Sequence, residues 1–381
     1  DPSCRLIAYV DKDSGRIPKL EGNHYHPGSR GGNCAKGPAT INQVDDPGRI
    51  LHPMKRVGPR GSGQFERTTW DEVIATLAAR IRTALLEDRK TEVMYHVGRP
   101  GADGYVDRVL KSWGVDGHNS HTNVCSGAAR LGYTLWSGSD RPSPDHAHAK
   151  LILLISSHLE TGHYFNPHAQ RIIEGKMAGA KIVTVDVRLS NTASMSDRWI
   201  APHAGTEAAL LLGFARVLLD EDLVDRDFVR RWVNWREYLA ARHPGRERTV
   251  DQFLLALREE YAQFSPAWVA EECGVDAETV REVGRMIGAA RGGLAAHVWR
   301  SAASGNEGGW QVARCLQFLC VLTGSVNSRG GTSMHSANKF VAKPFDSPPP
   351  QKVWSELLYP IEWPLSHHEL SFLLPHLVRQ G

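Results

Sequence analysis

The sequence predicts an α/β fold with parallel sheets, and three observations lead to that prediction. Short apolar segments alternate with longer amphipathic segments through most of the 381 residues, the pattern of a parallel sheet with helices on both faces. The longest apolar run, KLILLISS at 150–157, is far too short to cross a bilayer and is typical of a buried strand. Neither GxGxxG after the first strand nor GxxxxGK[ST] occurs, which disfavours an ordinary NAD-binding domain or a P-loop.

The first 90 residues predict a hairpin, a long loop and a helix. Residues 5–22 alternate apolar and polar around a DSG turn, which predicts a β-hairpin. Residues 23–68 are rich in Gly, Pro, Asn and Arg and predict a long wrapping loop, of a length that is usually functional. A helix is expected from Thr69, which forms a capping-box pattern with Glu72. Its apolar face would comprise Val73, Leu77, Ala78, Ile81 and Leu85.

Strands and helices are then expected to alternate. The predicted strands are EVMYHVG, LILLIS, KIVTVD and LAAHVWR, and the predicted helices between and after them begin with DGYVDRV, NPHAQRI, GTEAALL and GGWQVAR. Residues 221–290 are expected to be helical, and the chain from about 332 is proline-rich and expected to be irregular. Because ligands on parallel sheets bind beyond the carboxyl ends of the strands, the residues that follow each strand are the candidates for function.

Composition excludes several classes of protein. The chain is 41% hydrophobic and 23% charged, with a formal net charge of +3, so neither nucleic acid nor a lipid surface is an expected partner. No secretory signal is visible at the start. Six cysteines are too few for a secreted disulfide scaffold, and Cys273, Cys315 and Cys320 are expected to be buried packing residues.

Three strand ends carry polar residues that suit a nucleotide. Asp186 and Arg188 follow KIVTV, and an acid there suits a ribose or a purine edge, although it could also cap the following segment. Gly205 and Thr206 begin a helix, where free backbone N–H groups favour a phosphate or a polar base edge. Ser156 and Ser157 end a third strand and lead into His158, Glu160 and Thr161.

Two cysteines stand apart from the packing thiols. Cys34 lies in RGGNCAKG, and the only cysteine before it is Cys4, which gives a C-x29-C spacing. Two thiol ligands are only half of the ligands that a metal site needs. Cys125, in HTNVCSGAARLG, is expected in a small-residue turn before a helix, where the helix dipole would stabilise a thiolate. Metal ligand, nucleophile and buried thiol all remain open for Cys125. HAH at 146–148 and HH at 367–368 lack zinc spacing, and surface or core histidine is the default for them.

These stretches together resemble the molybdenum/tungsten bis-pterin oxidoreductases of the DMSO reductase family. DPSCRLIAYV and RGGNCAKG are similar to the third and fourth cysteines of the family's iron–sulfur motif, and DDPGRILHPMKRVGPRGSGQFERTTWDEVI is similar to the stretch that follows it. NVCSGAARLG lies at the position of the protein ligand to molybdenum. KIVTVDVRLSNTASMSDRWIAPHAGTEAAL and VLTGSVNSRGGT are similar to later motifs, so the resemblance covers nearly the whole chain.

The resemblance implies roles for individual residues. Cys4 and Cys34 would bind a 4Fe-4S cluster as thiolates, Lys36 would lie between cluster and pterin on the electron path, and Cys125 would ligate molybdenum or tungsten. The residues expected to contact a bis-molybdopterin guanine dinucleotide are Ser157, Glu160, Asp186, Arg188, Thr206 and Glu207, the last in place of the usual aspartate. The resemblance also implies a small β-rich iron–sulfur domain at 1–50, a pterin-binding α/β domain at 51–140 plus about 295–381, and a Rossmann-like domain at 141–294 that binds the guanine dinucleotide.

The family reaction would be two-electron redox on a small oxyanion. A cysteine ligand favours formate, nitrate, arsenate or sulfur oxyanions over sulfoxides, and Ser126 stands where formate dehydrogenases usually carry histidine. The CSGAAR context and the tail favour sulfite, polysulfide, thiosulfate or tetrathionate.

The resemblance also implies partners and a larger whole. The partners would be a quinone-reactive membrane subunit together with a ferredoxin-like one, so a prokaryotic enzyme held at the membrane is expected, with the cytoplasmic side slightly favoured. The chain ends before the family's β-barrel domain and lacks the first two cysteines, so we expect a segment of a larger protein. A metal-free homologue that serves as a structural component of a respiratory complex is the alternative from another class.

Overall fold

The computed structural model describes residues 5–97, 103–115, 118–139, 142–158, 166–298, 300–304, 308–334 and 379. The strands are β1 Leu6–Tyr9, β2 Lys19–Gly22, β3 Met54–Arg56, β4 Phe65–Arg67, β5 Tyr95–Val97, β6 His118–Ser120, β7 Ser143–Pro144, β8 Leu151–Ile155, β9 Lys181–Val185, β10 Arg198–Ile200, β11 Leu294–Val298 and β12 Thr332–Ser333. The α-helices are α1 Lys36–Val44, α2 Trp70–Leu86, α3 Asp103–Ser112, α4 His121–Ser137, α5 Asn166–Met177, α6 Asn191–Ser194, α7 Glu207–Asp220, α8 Arg226–Trp232, α9 Trp235–Arg242, α10 Val250–Glu260, α11 Pro266–Cys273, α12 Ala277–Ala289, α13 Arg300–Ser304 and α14 Gly309–Leu322. Short 3-10 helices occupy Lys90–Glu92 and His146–His148.

The chain divides into two compact units. Unit 1 comprises Asp1–Ala8, Glu21–Gly37 and Cys125–Phe340, and unit 2 comprises Tyr9–Leu20, Pro38–Val124 and Val341–Gly381.

A four-stranded parallel sheet forms the centre of unit 1. Its order is β10-β9-β8-β11, and every pair in it is parallel. All five residues of β8 are buried, so this strand is covered on both faces, as expected for the centre of a parallel sheet. The predicted parallel sheet, and the predicted helices α5 and α7 around it, are confirmed.

Side chains of the sheet alternate between two hydrophobic layers. Leu151, Leu153 and Ile155 of β8 join the larger cluster, which α7, α12 and α14 complete, while Ile152 and Leu154 join a smaller cluster with Ile172 of α5. This alternation follows from the two-residue period of a strand. Unit 1 is therefore a three-layer α/β structure, and the carboxyl ends of its strands form the edge at which parallel sheets usually bind ligands.

Glycines let the helices on the larger layer approach closely. A Cβ built on Gly284 of α12 would lie 2.7 Å from Cβ of Val217 in α7. A Cβ on Gly213 would lie 2.9 Å from Val269 of α11. Side chains at either glycine would push these helices apart, because a packed interior has no room for another methyl group.

Unit 2 contains short strand pairs and amphipathic helices. β3 and β4 pair antiparallel, and β5 and β6 pair parallel. The predicted start of α2 is confirmed, since Thr69 is its N-cap and the hydroxyl of Thr69 accepts a hydrogen bond from the backbone N–H of Glu72 at 3.2 Å. The Glu72 carboxylate bonds Lys55 and the Thr68 hydroxyl. Of the α2 residues only Ala84 is buried, so the apolar face predicted for this helix is largely exposed.

Two predictions about local structure are wrong. The expected loop at 23–68 contains α1 and the β3–β4 hairpin; Pro38 lies in the first turn of α1, where the missing N–H would have had no helical partner. The expected turn at Cys125 is the second turn of α4, which begins at His121. Later in the same helix, a Cβ on Gly132 would lie 2.2 Å from the carbonyl oxygen of Trp310, so this glycine allows close packing.

Candidate functional site

The carboxyl edge of the unit 1 sheet brings together polar residues that follow three strands. Nη2 of Arg188, after β9, lies 3.0 Å from Nδ1 of His158, after β8. The indole N–H of Trp199 in β10 donates to the carbonyl oxygen of Asp186 at 2.8 Å. Side-chain hydrogen bonds thus link the segment after β9 to the segment after β8 and to β10.

Asp186 is both a turn residue and an available acceptor. Its Oδ1 accepts the backbone N–H of Arg188 at 3.0 Å, which is the local capping that the sequence left open. Its Oδ2 has no hydrogen bond from the described residues. A carboxylate oxygen at this edge can accept from N–H or O–H groups of a ligand.

Ser157 is placed differently from its neighbours. Its hydroxyl is fully buried and donates to the carbonyl oxygen of Ile155 at 3.0 Å. Ser156 before it has φ 48° and donates its backbone N–H to the carbonyl oxygen of Val185 at 2.8 Å. The left-handed backbone at Ser156 turns the chain sharply out of β8, and the Ser157 hydroxyl stabilises this turn. Only the backbone of Ser157 is therefore available to contact a ligand.

Gly205, Thr206 and Glu207 form the entry to α7. Gly205 has φ 91°, a conformation that favours glycine, and a Cβ there would meet no atom within 4 Å. Thr206 is the N-cap residue, but its hydroxyl donates to the carbonyl oxygen of His203 at 2.7 Å and caps no helix N–H. The first turn of α7 therefore retains N–H groups that could donate to a ligand oxygen.

Glu207 is a buried carboxylate in this turn. Its Oε2 accepts the backbone N–H of Gly205 at 2.9 Å, and 5% of the residue is exposed. Burial raises the pKa of Glu207 above its usual value, and the nearby charge of Asp186 raises it further. Two acidic groups therefore share one small region, and a ligand with hydrogen-bond donors would relieve their repulsion.

The segment Glu21–Gly37, here called the Cys34 loop, is tied to the chain next to Cys4. The backbone N–H of Arg5 donates to the hydroxyl of Ser29 at 2.7 Å, and that of Asn23 donates to the carbonyl oxygen of Arg5 at 2.8 Å. Cys34 is a half-buried free thiol two residues before α1. The residue after Cys4 and the loop that carries Cys34 are therefore held side by side.

Other predicted site residues are placed only in part. Lys36 is the first residue of α1 and is exposed. The backbone of Cys125 lies in α4, whereas Cys4 and Glu160 lie outside the described residues, as do His367 and His368. Within the described ranges, no group of three or more His, Cys, Asp or Glu side chains is arranged to hold a metal ion. Cys273, Cys315 and Cys320 are buried, which confirms their packing role.

Sequence reasoning missed three residues that organise these sites. Trp199 joins two strand ends, Ser29 anchors the Cys34 loop, and Gln170 of α5 donates to the carbonyl oxygen of Ser29 at 2.6 Å. No local pattern marks them, because each acts through a partner that is distant in sequence.

The comparison with family models decides the family. Residues 49–346 match the model described as molybdopterin oxidoreductase. The chain belongs to the molybdopterin oxidoreductase family. That match takes in the whole carboxyl edge of the sheet, including Asp186, Arg188 and Glu207, and it confirms the membership that the motifs implied.

Known proteins of the family are similar along most of this chain. A sulfite dehydrogenase chain of Allochromatium vinosum is 27% identical, over 86% of this chain and 42% of its own length. Dimethyl sulfoxide reductase DmsA of Escherichia coli is 27% identical, over 86% of this chain and 41% of its own length. The thiosulfate reductase molybdopterin-containing subunit PhsA of Salmonella typhimurium is 26% identical, over 82% of this chain and 38% of its own length. The chain spans less than half the length of these relatives.

A solved structure confirms the fold. Acetylene hydratase from Pelobacter acetylenicus superimposes with a TM-score of 0.69 at 22% identity, over 87% of this chain and 43% of that one. This likeness supports the mixed α/β architecture with a parallel sheet. The described part of the chain contains no helix that is long and apolar enough to span a membrane.

Proposed function

We propose that this chain is the cofactor-binding part of a molybdopterin-dependent oxidoreductase that carries out two-electron redox on a small oxyanion or a related sulfur species. The observation that carries the proposal is the family match over residues 49–346, together with the acceptor-rich edge that Asp186 and Glu207 form within it. When bound, the bis-molybdopterin guanine dinucleotide would supply the redox chemistry at molybdenum or tungsten.

The chain's own residues would bind and orient that cofactor. The Asp186 carboxylate would accept hydrogen bonds from the guanine, whose ring N1–H and exocyclic 2-amino group are two donors on one edge. The open turn at Gly205 and Thr206 would admit the base beside the buried carboxylate of Glu207. Arg188, held by His158, would place a positive charge near the phosphates. Glu160 would contribute from the same edge, and Cys125 would ligate the metal.

Electrons would leave through a 4Fe-4S cluster bound in part by Cys4 and Cys34. The support is the hydrogen bond from the backbone of Arg5 to Ser29, which holds the two cysteine segments together. Lys36, at the start of α1 and two residues from Cys34, would lower the barrier to electron transfer through its charge. A ferredoxin-like subunit would accept these electrons, and a quinone-reactive membrane subunit would hold the prokaryotic complex at the membrane.

Small anionic sulfur species are the proposed substrates, chiefly sulfite, polysulfide, thiosulfate or tetrathionate. A sulfite dehydrogenase and a thiosulfate reductase are among the similar proteins, but so are a dimethyl sulfoxide reductase and a nitrate reductase. A screen of the full-length protein should therefore include dimethyl sulfoxide, nitrate, arsenate and formate. Turnover of one of these sulfur species, in either redox direction, is the expected result.

Metal and cofactor analysis tests the proposal before any activity is known. The purified full-length protein should contain molybdenum or tungsten and release guanine nucleotide on acid treatment. Loss of the Asp186 carboxylate in Asp186→Asn should remove charge-assisted hydrogen bonds of about 1.5–3 kcal/mol, which corresponds to about 10- to 100-fold weaker binding. Asp220→Asn, which changes an exposed carboxylate at the far end of α7, is the matched control. A folded protein that contains neither metal nor pterin would instead support the metal-free structural role.

A further inference from the structure

Ser29 lies at the centre of the hydrogen bonds that hold the Cys34 loop. It is fully buried, and its hydroxyl accepts the backbone N–H of Arg5 at 2.7 Å. Its backbone N–H donates to Nδ1 of His26 at 3.2 Å. Its carbonyl oxygen accepts the backbone N–H of Gly32 at 2.7 Å and Nε2 of Gln170 at 2.6 Å. One residue thus joins the chain after Cys4, the Cys34 loop and α5.

A second contact between the loop and α5 follows immediately. The Arg30 guanidinium pairs with the Glu174 carboxylate, one helical turn after Gln170. Arg30 has φ 47°, a left-handed backbone conformation that is unfavourable for a residue with a side chain. Such a conformation persists only where contacts of the surrounding structure hold the backbone in place. Glu174 is itself oriented by Arg171, which donates to both of its oxygens at 2.9 and 2.7 Å.

The loop has little freedom to take another path at this point. A Cβ on Gly22 would lie 2.3 Å from the carbonyl oxygen of Gly31, so the two ends of the turn are in direct backbone contact. Gly31 also donates its N–H to the carbonyl oxygen of Asn23 at 3.2 Å. A shift of α5 would therefore move residues 29–31 as a unit, and Cys34 with them.

We propose that Gln170 and Glu174 of α5 are positioning residues for the iron–sulfur cluster, acting through Ser29 and Arg30 on the Cys34 loop. The inference rests on the proposed function, because it requires that Cys34 bind a cluster. The helix α5, which would hold the Cys34 loop in place, is also the helix that follows β8 along the chain. At the carboxyl end of β8, His158 contacts Arg188. One element thereby connects the cluster loop with the edge proposed for the dinucleotide.

The test uses the full-length protein purified without oxygen. Gln170→Glu keeps the side-chain size but replaces the N–H donor by an oxygen that faces the Ser29 carbonyl. Gln170→Lys restores a donor, and Lys176→Ala changes a residue of the same helix whose amine bonds the carbonyl oxygen of Met195. For each variant we would measure iron per chain, the rate of iron loss to a chelator, the EPR spectrum of the reduced cluster, and pterin content.

The expected result is selective damage to the cluster. Outer-sphere partners of metal ligands change metal affinity by about 10- to 100-fold, so Gln170→Glu should lose iron about tenfold faster than the unmutated protein, with an altered EPR spectrum and unchanged pterin content. Gln170→Lys should recover most of the slower rate, and Lys176→Ala should match the unmutated protein.

Two results would overturn the inference. One is a Gln170→Glu protein with the iron-loss rate and EPR spectrum of the unmutated protein. The other is parallel loss of iron and pterin with a lower melting temperature, which would make Gln170 a residue of general stability. Absence of iron from the unmutated protein would refute the cluster in the proposed function itself, so the two failures are distinguishable.

Discussion

Acidification should destabilise this protein through a buried histidine. His146 is 2% exposed, and its Nε2 has no hydrogen-bond partner among the described residues. Its ring centroid lies 5.9 Å from that of His168 and 6.2 Å from that of His297. Burial, with the nearby His168, lowers the pKa of His146 from 6.5 to about 3. Burial also lowers the pKa of His168.

The sign and size of the effect follow from proton uptake on unfolding. A histidine whose pKa is lower in the folded chain stays neutral there while the unfolded chain takes up a proton below pH 6.5, so stability falls as the pH falls and the loss levels off near pH 3. Between pH 7 and pH 5, His146 alone should remove about 2 kcal/mol from the free energy of unfolding. His168 acts in the same direction.

Urea unfolding followed by tryptophan fluorescence at pH 7, 6 and 5 measures this loss. The variant His146→Leu should flatten the dependence on pH. The same free energy of unfolding at pH 5 and pH 7 in the unmutated protein would show that His146 is not held neutral, and the reasoning from its burial would be wrong.

Three further changes test the packing, the capping and the thiols. Gly284→Ala should lower the free energy of unfolding by about 1–3 kcal/mol, because the new methyl group would meet Val217. Gly245→Ala is the control: a Cβ there would have no atom within 4 Å, so the same urea titration should show almost no change. Thr69→Ala should lower stability by about 1 kcal/mol through loss of the α2 cap, and a circular dichroism melt without any change would contradict that role. Burial raises the pKa of Cys320 to about 12, so iodoacetamide at pH 8 should leave it unmodified until the protein is unfolded, as peptide mass spectrometry would show.

The parts of the fold that depend on local pattern could be predicted from the sequence. β8 and β9 are short apolar runs rich in branched side chains, which suits a buried strand, and Thr69 with Glu72 marks the start of α2. Gly37 and Pro38 misled the prediction of α1, because residues that break a helix interior are tolerated in its first turn. The start of α4 was misplaced since small residues that allow close packing look like a turn in sequence.

The candidate site was predictable to the extent that topology fixes it. Asp186 could be found because the carboxyl ends of parallel strands meet at one edge, whereas Glu207 was named only through the family resemblance. Gln170 and Ser29 could not, because their hydrogen bond joins segments with no shared motif. His146 was expected to be an ordinary surface or core histidine, and only the structure brings His168 and His297 beside it.

The bond between Gln170 and Ser29 also has a consequence for the order of events during synthesis. The two residues are 141 positions apart, so at about 5–20 residues per second the ribosome needs about 7–28 s after Ser29 to make its partner. During that interval the Cys34 loop lacks the helix that fixes it, and contacts so distant in sequence form late. In the nascent chain Cys34 is therefore not yet held by α5, and the cluster proposed at Cys34 would meet a completed loop only after α5 has emerged.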